Sequence, residues 1–175
     1  MTPVLKTERL TLRGWKIEDF DTYAAFWADP DRTRHFLSGT LEKPIAWTLF
    51  CAMFGEWKLR NMGSFAIEAD DGHLVGYSGL WYPIDIDEPE LAWSLFAGNE
   101  GKGYATEAAR AVQTWAASEL GLTQLMSFVH PDNKASIAVA RRLGATVEKE
   151  TTLRGHPRLV FRHNQPKQPD MNFQG

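Results

Sequence analysis

Two glycines one residue apart, Gly101 and Gly103, stand inside the run Gly98-Asn99-Glu100-Gly101-Lys102-Gly103-Tyr104-Ala105-Thr106-Glu107. Placed between a strand and a helix, such a run can turn backbone N–H groups toward an anion, because glycine accepts positive φ and has no Cβ to block the approach. The helix that follows adds the positive end of its dipole. A pyrophosphate suits a pocket of this kind, with Lys102 at its rim. Taken alone, the spacing is more often a plain tight connection between a strand and a helix. The run lacks the third glycine of the dinucleotide fingerprint and the Gly-Lys-Ser/Thr of a phosphate-binding P-loop, which argues against nicotinamide and nucleoside-triphosphate chemistry.

Periodicity predicts the elements that would position this turn. Residues 9–13 alternate polar and apolar as a half-buried strand does, and Phe20, Tyr23, Ala24 and Trp27 mark an amphipathic helix that Asp29-Pro30 ends. Residues 44–60 read as a second helix with a broad apolar face that includes Trp47, Phe50, Cys51, Phe54 and Trp57. Strands at 65–69 and 74–82 flank the hairpin signal Asp70-Asp71-Gly72-His73, and an acidic loop at 83–89 precedes a strand at 90–97. A helix over 102–120 stops at Gly121, a strand follows at 125–129, and a helix over 134–143 closes at Gly144. Two last strands, 146–153 and 158–163, are joined by Arg154-Gly155-His156-Pro157. This order implies one mixed α/β (α+β) domain over residues 1–163, with a mostly antiparallel central sheet of about seven strands and flanking helices. Residues 90–129 form its parallel, right-handed βαβ unit. The tail 164–175 is polar, holds two prolines and is expected to be flexible.

Composition narrows the function classes. A chain of 175 residues with 43% hydrophobic content supports one well-filled core. The 19 Lys and Arg against 22 Asp and Glu leave a charge of -3, which offers no general attraction for nucleic acid or for an anionic membrane. Residues 2–6 do not open a signal peptide, the one cysteine cannot form an intramolecular disulfide, and no apolar run approaches the roughly 20 residues of a membrane span. These features point to a cytoplasmic protein. No Cys/His cluster has metal-ligand spacing, so no metal is expected.

Four segments together resemble one family. They are Thr7-Glu8-Arg9-Leu10-Thr11-Leu12-Arg13, the run Gly101 through Ala108, Val129-His130-Pro131-Asp132-Asn133-Lys134-Ala135-Ser136, and Ala140-Arg141-Arg142-Leu143-Gly144. In order and spacing they are similar to the GNAT acetyltransferases, and to the RimJ/RimL-like branch in particular, over roughly residues 5–163. The resemblance implies an N-acetyltransferase that moves an acetyl group from acetyl-CoA to a primary amine by direct attack in a ternary complex. The acceptor would be a protein N-terminus or a small molecule, and the enzyme a monomer or homodimer. CoA would lie in a V-shaped opening between the strands ending near Phe96 and Val129. The backbone of Trp93, Ser94, Leu95, Phe96 and Ala97 would hold the pantetheine, and Gly101, Lys102, Gly103, Tyr104, Ala105 and Thr106 the pyrophosphate. Asn133 matches the family's CoA-contacting asparagine.

Two positions depart from the pattern. Gly98 stands where Arg or Gln is common, and Ala140 where many members carry the tyrosine that protonates the departing thiolate. The resemblance then gives that role to Ser136, whose plain alternative is a helix-capping residue. Glu90-Leu91-Ala92-Trp93 matches the branch's Glu-x-Gly-Tyr/Trp, so Glu90 is the candidate base, acting through water or as a site for the substrate's ammonium. Asp85, Asp87 and Glu88 compete with it, and a solvated carboxylate at a strand start remains the alternative. Trp47, Trp81 and Tyr82 border the implied acceptor groove, unless they are core. Arg141 and Arg142 would reach the 3'-phosphate or sit on a solvated helix face, and Cys51, inside an apolar stripe, is expected in the core. Two rival functions stay open: a CoA-binding module without catalysis, and transfer from a longer acyl-CoA such as succinyl-CoA. The second needs basic residues in the acyl pocket, and none is evident in the sequence.

Overall fold

A computed structural model of the chain describes residues 2–164. Its sheet begins with two short strands, β1 (Leu5–Lys6) and β2 (Leu10–Arg13). Helices α1 (Phe20–Ala28), α2 (Pro30–Thr33) and α3 (Lys43–Arg60) follow, then strands β3 (Ser64–Ala69), β4 (Leu74–Trp81) and β5 (Glu90–Leu95). Helix α4 (Tyr104–Leu120), strand β6 (Gln124–Val129) and helix α5 (Lys134–Arg142) lead to the hairpin of β7 (Thr146–Leu153) and β8 (His156–Asn164). The strand order across the sheet is β1-β2-β3-β4-β5-β6-β8-β7, and every neighbouring pair is antiparallel except β5 and β6.

The sheet has eight strands rather than about seven. The additional one, β1, is two residues long and pairs with Thr11 and Leu12, too short for any alternation to register in sequence. Asp29-Pro30 also does more than end a helix. The Asp29 carboxylate accepts the amides of Asp31 and Arg32, and Pro30 opens α2, where its missing N–H costs nothing. The expected tail lies outside the described residues, apart from Asn164 at the end of β8.

Strand alternation sorts the core onto two faces of the sheet. Phe65 and Ile67 of β3 join Leu12, Val75, Leu80 and Leu91 beneath the buried stripe of α4, where Ala105, Ala108, Ala109, Val112 and Ala116 allow close contact. Ala66, between them, faces the other layer, where Tyr23, Phe26 and Trp27 of α1 meet Phe50 and Met53 of α3 around Tyr77 and Phe96. Cys51 is exposed, not in the core. The inward stripe of α3 is Ala46, Phe50, Met53 and Trp57, and the position after Phe50 is turned about 100° away from it. No helix among the described residues is long and apolar enough to cross a membrane.

Candidate active site

The site begins where the sheet comes apart. β5 pairs with β4 from Glu90 to Leu95, yet meets its parallel neighbour β6 only at Glu90 and Met126. Beyond that point side chains replace the ladder. The Phe128 amide donates to Glu90 Oε1 at 3.0 Å, and the Ser127 hydroxyl donates to the Leu91 carbonyl. His163 Nε2 lies 2.8 Å from Ser127 Oγ, so this bonding pattern assigns the ring proton to Nε2 and leaves the buried Nδ1 without a partner. Burial pushes the His163 pKa down to about 4, with Arg162 adding to the effect, so the ring is neutral at pH 7.

The divergence opens a groove in two parts, of about 1680 and 690 Å³. They share His35, Phe36, Trp93, Ser94, Asn133 and Ser136, so the two spaces meet at those residues.

Gly101, Gly103, Ala105 and Thr106 line the larger part. Gly101 and Gly103 have φ of 76° and 84°, a conformation that costs any other L-residue roughly 1–2 kcal/mol. Gly103 is the N-cap of α4 and offers no side chain to it, and the first amide to find a helical acceptor is that of Glu107, bonded to the Gly103 carbonyl at 3.1 Å. The amides of Tyr104, Ala105 and Thr106 therefore have no partner within the helix, and the buried Thr106 hydroxyl has none either. These are the donors a diphosphate requires. Glu107 holds the turn in place. It accepts from Thr7 Oγ1 at 2.6 Å and from Arg9 through N, Nε and Nη2, while Arg9 Nη1 reaches the Lys102 carbonyl. Burial works against the charge on Glu107, but those bonds outweigh it and hold the carboxyl below its ordinary range.

At the start of α5, Asn133 Oδ1 accepts the Ser136 amide at 3.1 Å. The asparagine is thus the cap, and the Ser136 side chain is not used for capping. In the smaller part, Glu90 is the one acidic residue among the described lining. Burial pushes its carboxyl up to about 7, against the lowering effects of the Phe128 amide and Arg158. Two of its three competitors are tied elsewhere, Asp85 to Arg154 and Glu88 to Arg162, each through two bonds that hold the carboxyl below its ordinary range, and Asp87 lines neither part of the groove.

The family model described as an acetyltransferase (GNAT) domain matches residues 9–146, more than half of the chain. The chain belongs to the GNAT acetyltransferase family. It is similar to the crystal structure of an acetyltransferase from Agrobacterium tumefaciens at 38% identity and a TM-score of 0.85, covering 93% of this chain and 95% of that one. It is also 28% identical to the uncharacterized N-acetyltransferase p20 of Bacillus licheniformis over 90% of this chain and 89% of the relative. RimL, a ribosomal-protein N-acetyltransferase solved with coenzyme A, shares the fold at 15% identity, with a TM-score of 0.77 and coverage of 93% and 98%.

Against the GNAT expectations, the groove gathers Trp93, Ser94, Leu95, Gly101, Gly103, Ala105, Thr106, Asn133 and Ser136 along its larger part. Phe96 and Ala97 lie outside it. The Phe96 ring is in the aromatic core, its amide bonds Val75, and buried Asn99 donates to both of their carbonyls. The side chains of Lys102 and Tyr104 also stay outside the lining, with Arg9 and Lys102 set against the Tyr104 ring. Arg110 and Arg142 line the cleft, whereas Arg141 does not.

Of the residues expected at the acceptor groove, Trp81 and Glu90 line the smaller part. Trp47 is not brought there, because α3 faces the groove with Ile45, Thr48, Leu49, Ala52 and Met53 while the Trp47 ring packs on Phe20 and Phe50. Tyr82 is turned away as well, with its hydroxyl on the Asp87 carbonyl and Arg60 over its ring. Residues unforeseen in sequence include His35, Phe36, Arg110 and Arg158. The His35 and His130 rings stack at 4.9 Å where the two parts meet, and no motif around residues 34–38 signals it.

Proposed function

We propose that residues 1–163 act as one acetyltransferase domain that carries an acetyl group from acetyl-CoA to a primary amine by direct attack in a ternary complex. The observation that carries this reading is the continuity of the groove: the unpartnered amides at the start of α4 and the Glu90 carboxyl open onto spaces that meet at Trp93, Ser94, Asn133 and Ser136. Acetyl-CoA supplies the activated acetyl thioester. The amides of Tyr104, Ala105 and Thr106, with the Thr106 hydroxyl, bind its diphosphate, and Arg110 and Arg142 offer positive charge further along the cleft. The free β6-facing edge of β5 at Trp93 to Leu95 binds the pantetheine arm and polarises the thioester carbonyl.

An amine attacks only when neutral, so a group must accept its proton. Glu90, with its pKa near 7, is balanced between accepting and releasing a proton at neutral pH, directly or through a water in the groove. The transfer forms a C–N bond and breaks the C–S bond. Of the two protons the ammonium nitrogen loses, one leaves through Glu90 to solvent and the other ends on the thiol by way of Ser136.

Release of free thiol from acetyl-CoA across a panel of amines, followed together with CoA calorimetry, tests the reading. Turnover with any amine supports it. Tight CoA binding without turnover on every amine replaces it with the non-catalytic binding module.

A further inference from the structure

The smaller part of the groove is lined largely by apolar side chains, but it also contains a cation with no counter-ion. Arg154 is neutralised by Asp85. Arg158 is not. It is only 4% exposed, its Nη1 donates to the Pro157 carbonyl at 2.7 Å and its Nη2 to the His35 carbonyl at 3.1 Å, and no described carboxylate lies within ion-pair distance. Strand alternation explains its position, since Arg158 and Val160 of β8 share the face that carries Trp81 and Phe128. A guanidinium does not shed its proton, so burial leaves it charged and short of an anion, with N–H groups beyond the two already engaged. Burial lowers its pKa, and Glu90, the acid that acts on it, offsets part of the effect from beyond contact distance. The planar fork of arginine matches a carboxylate.

We propose that Arg158 receives a carboxylate of the acceptor, so that the enzyme acetylates amino acids with apolar side chains, with their ammonium group directed to Glu90. The inference rests on the acetyl-transfer reading and narrows its substrate class away from protein N-termini, which lack an adjacent free carboxylate. A space of about 690 Å³ suits a small molecule, and Trp27, Phe36, Leu41, Leu49, Met53 and Trp81 offer an apolar wall to its side chain.

The test measures thiol release from acetyl-CoA with free leucine, methionine, phenylalanine and tryptophan, with their amides, and with the corresponding decarboxylated amines. The free acids should exceed the amides about tenfold or more in kcat/KM, chiefly through KM. In Arg158→Gln that ratio should collapse. Arg158→Lys keeps the charge without the fork and should raise KM for the acids relative to the amides by a smaller factor, which decides the matter if the glutamine variant fails to fold. Amides turned over as well as acids by the native enzyme would overturn the proposal while leaving acetyl transfer intact. An equal loss on acids and amides in both variants would also overturn it, leaving Arg158 as a tie between β8 and the His35 carbonyl. A parallel arm offers succinyl-CoA with the decarboxylated amines: a preference over acetyl-CoA that disappears in the Arg158 variants assigns the cation to the donor and overturns the acceptor assignment. No turnover with any amine, despite CoA binding, overturns both readings.

Discussion

Replacing Glu90 by glutamine removes one titration while keeping the side-chain shape and an oxygen to accept the Phe128 amide. In the unfolded chain this carboxyl ionises near its ordinary value of 4.5, and in the folded protein near 7. Between those pH values the unfolded state has given up the proton and the native state still holds it, so native stability falls as pH rises. At ~1.4 kcal/mol per pH unit the fall accumulates to about 3 kcal/mol, an upper bound for a half-buried group. Stability attributable to this proton is fully present below pH 4.5 and lost above pH 7. Glu90→Gln should therefore match the native protein at pH 4.5 and exceed it by about 2–3 kcal/mol at pH 8, read from urea midpoints with an unchanged m-value. Taking the difference between the two proteins cancels the other titrating groups. The same variant should lose roughly 100-fold in kcat, together with the rise in rate through pH 7 that the carboxyl imposes. A stability gap that is the same at pH 4.5 and pH 8 would refute the burial argument, and an intact rate would remove Glu90 from proton transfer.

Three further outcomes test two other parts of the site and one ion pair of the fold. Gly103→Glu sets a side chain at a φ of 84°, with its Cβ 3.3 Å from Arg9 Nη2, and brings negative charge to the start of α4. Calorimetry should detect no CoA binding to it, and unchanged affinity would dissolve the diphosphate assignment. Ser136→Ala leaves the Asn133 cap in place, so it should lower turnover about tenfold or more with little change in CoA affinity; full activity would give the thiol's proton to water. Arg13 bonds both carboxylate oxygens of the buried Asp19 and Oε2 of Glu68. Arg13→Met should cost about 3 kcal/mol in a denaturant melt, at the low end for a broken buried pair because the Lys16 amide still donates to Asp19. A loss below 1 kcal/mol would make it a surface pair in energetic terms.

Much of the fold is written in local patterns. The α4 stripe, the Asp71-Gly72 hairpin, and the ends at Gly121 and Gly144 depend on residues a few positions apart, and each appears at or within two residues of where periodicity and turn chemistry predict it. The misreadings share a cause. Cys51 is one residue from the buried Phe50, and sequence spacing alone did not tell which edge of a broad apolar face turns inward. Trp47 and Tyr82 are aromatic and close to the groove along the chain, but the direction of each side chain is set by Phe20, Phe50 and Arg60.

Residue patterns alone were enough for the order of the longer elements, the glycine turn before α4, the Asn133 start of α5 and, through these, the family. Each is signalled by backbone conformation over a few residues, where glycine and asparagine set the local turn, and for the turn before α4 the folded chain adds the ties from Thr7 and Arg9. The tertiary structure decided which carboxyl is held near neutrality and which cation is left without a counter-ion. Glu90 differs from Asp85 and Glu88 in being more buried and in having no arginine in contact with it, and Arg158 differs from Arg154 and Arg162 in being more buried and in meeting carbonyls in place of carboxylates. Those pairings join residues as many as 123 positions apart. Electrostatic energy depends on distance in space and on exclusion of water, and both are set only once β5, β6 and β8 lie side by side.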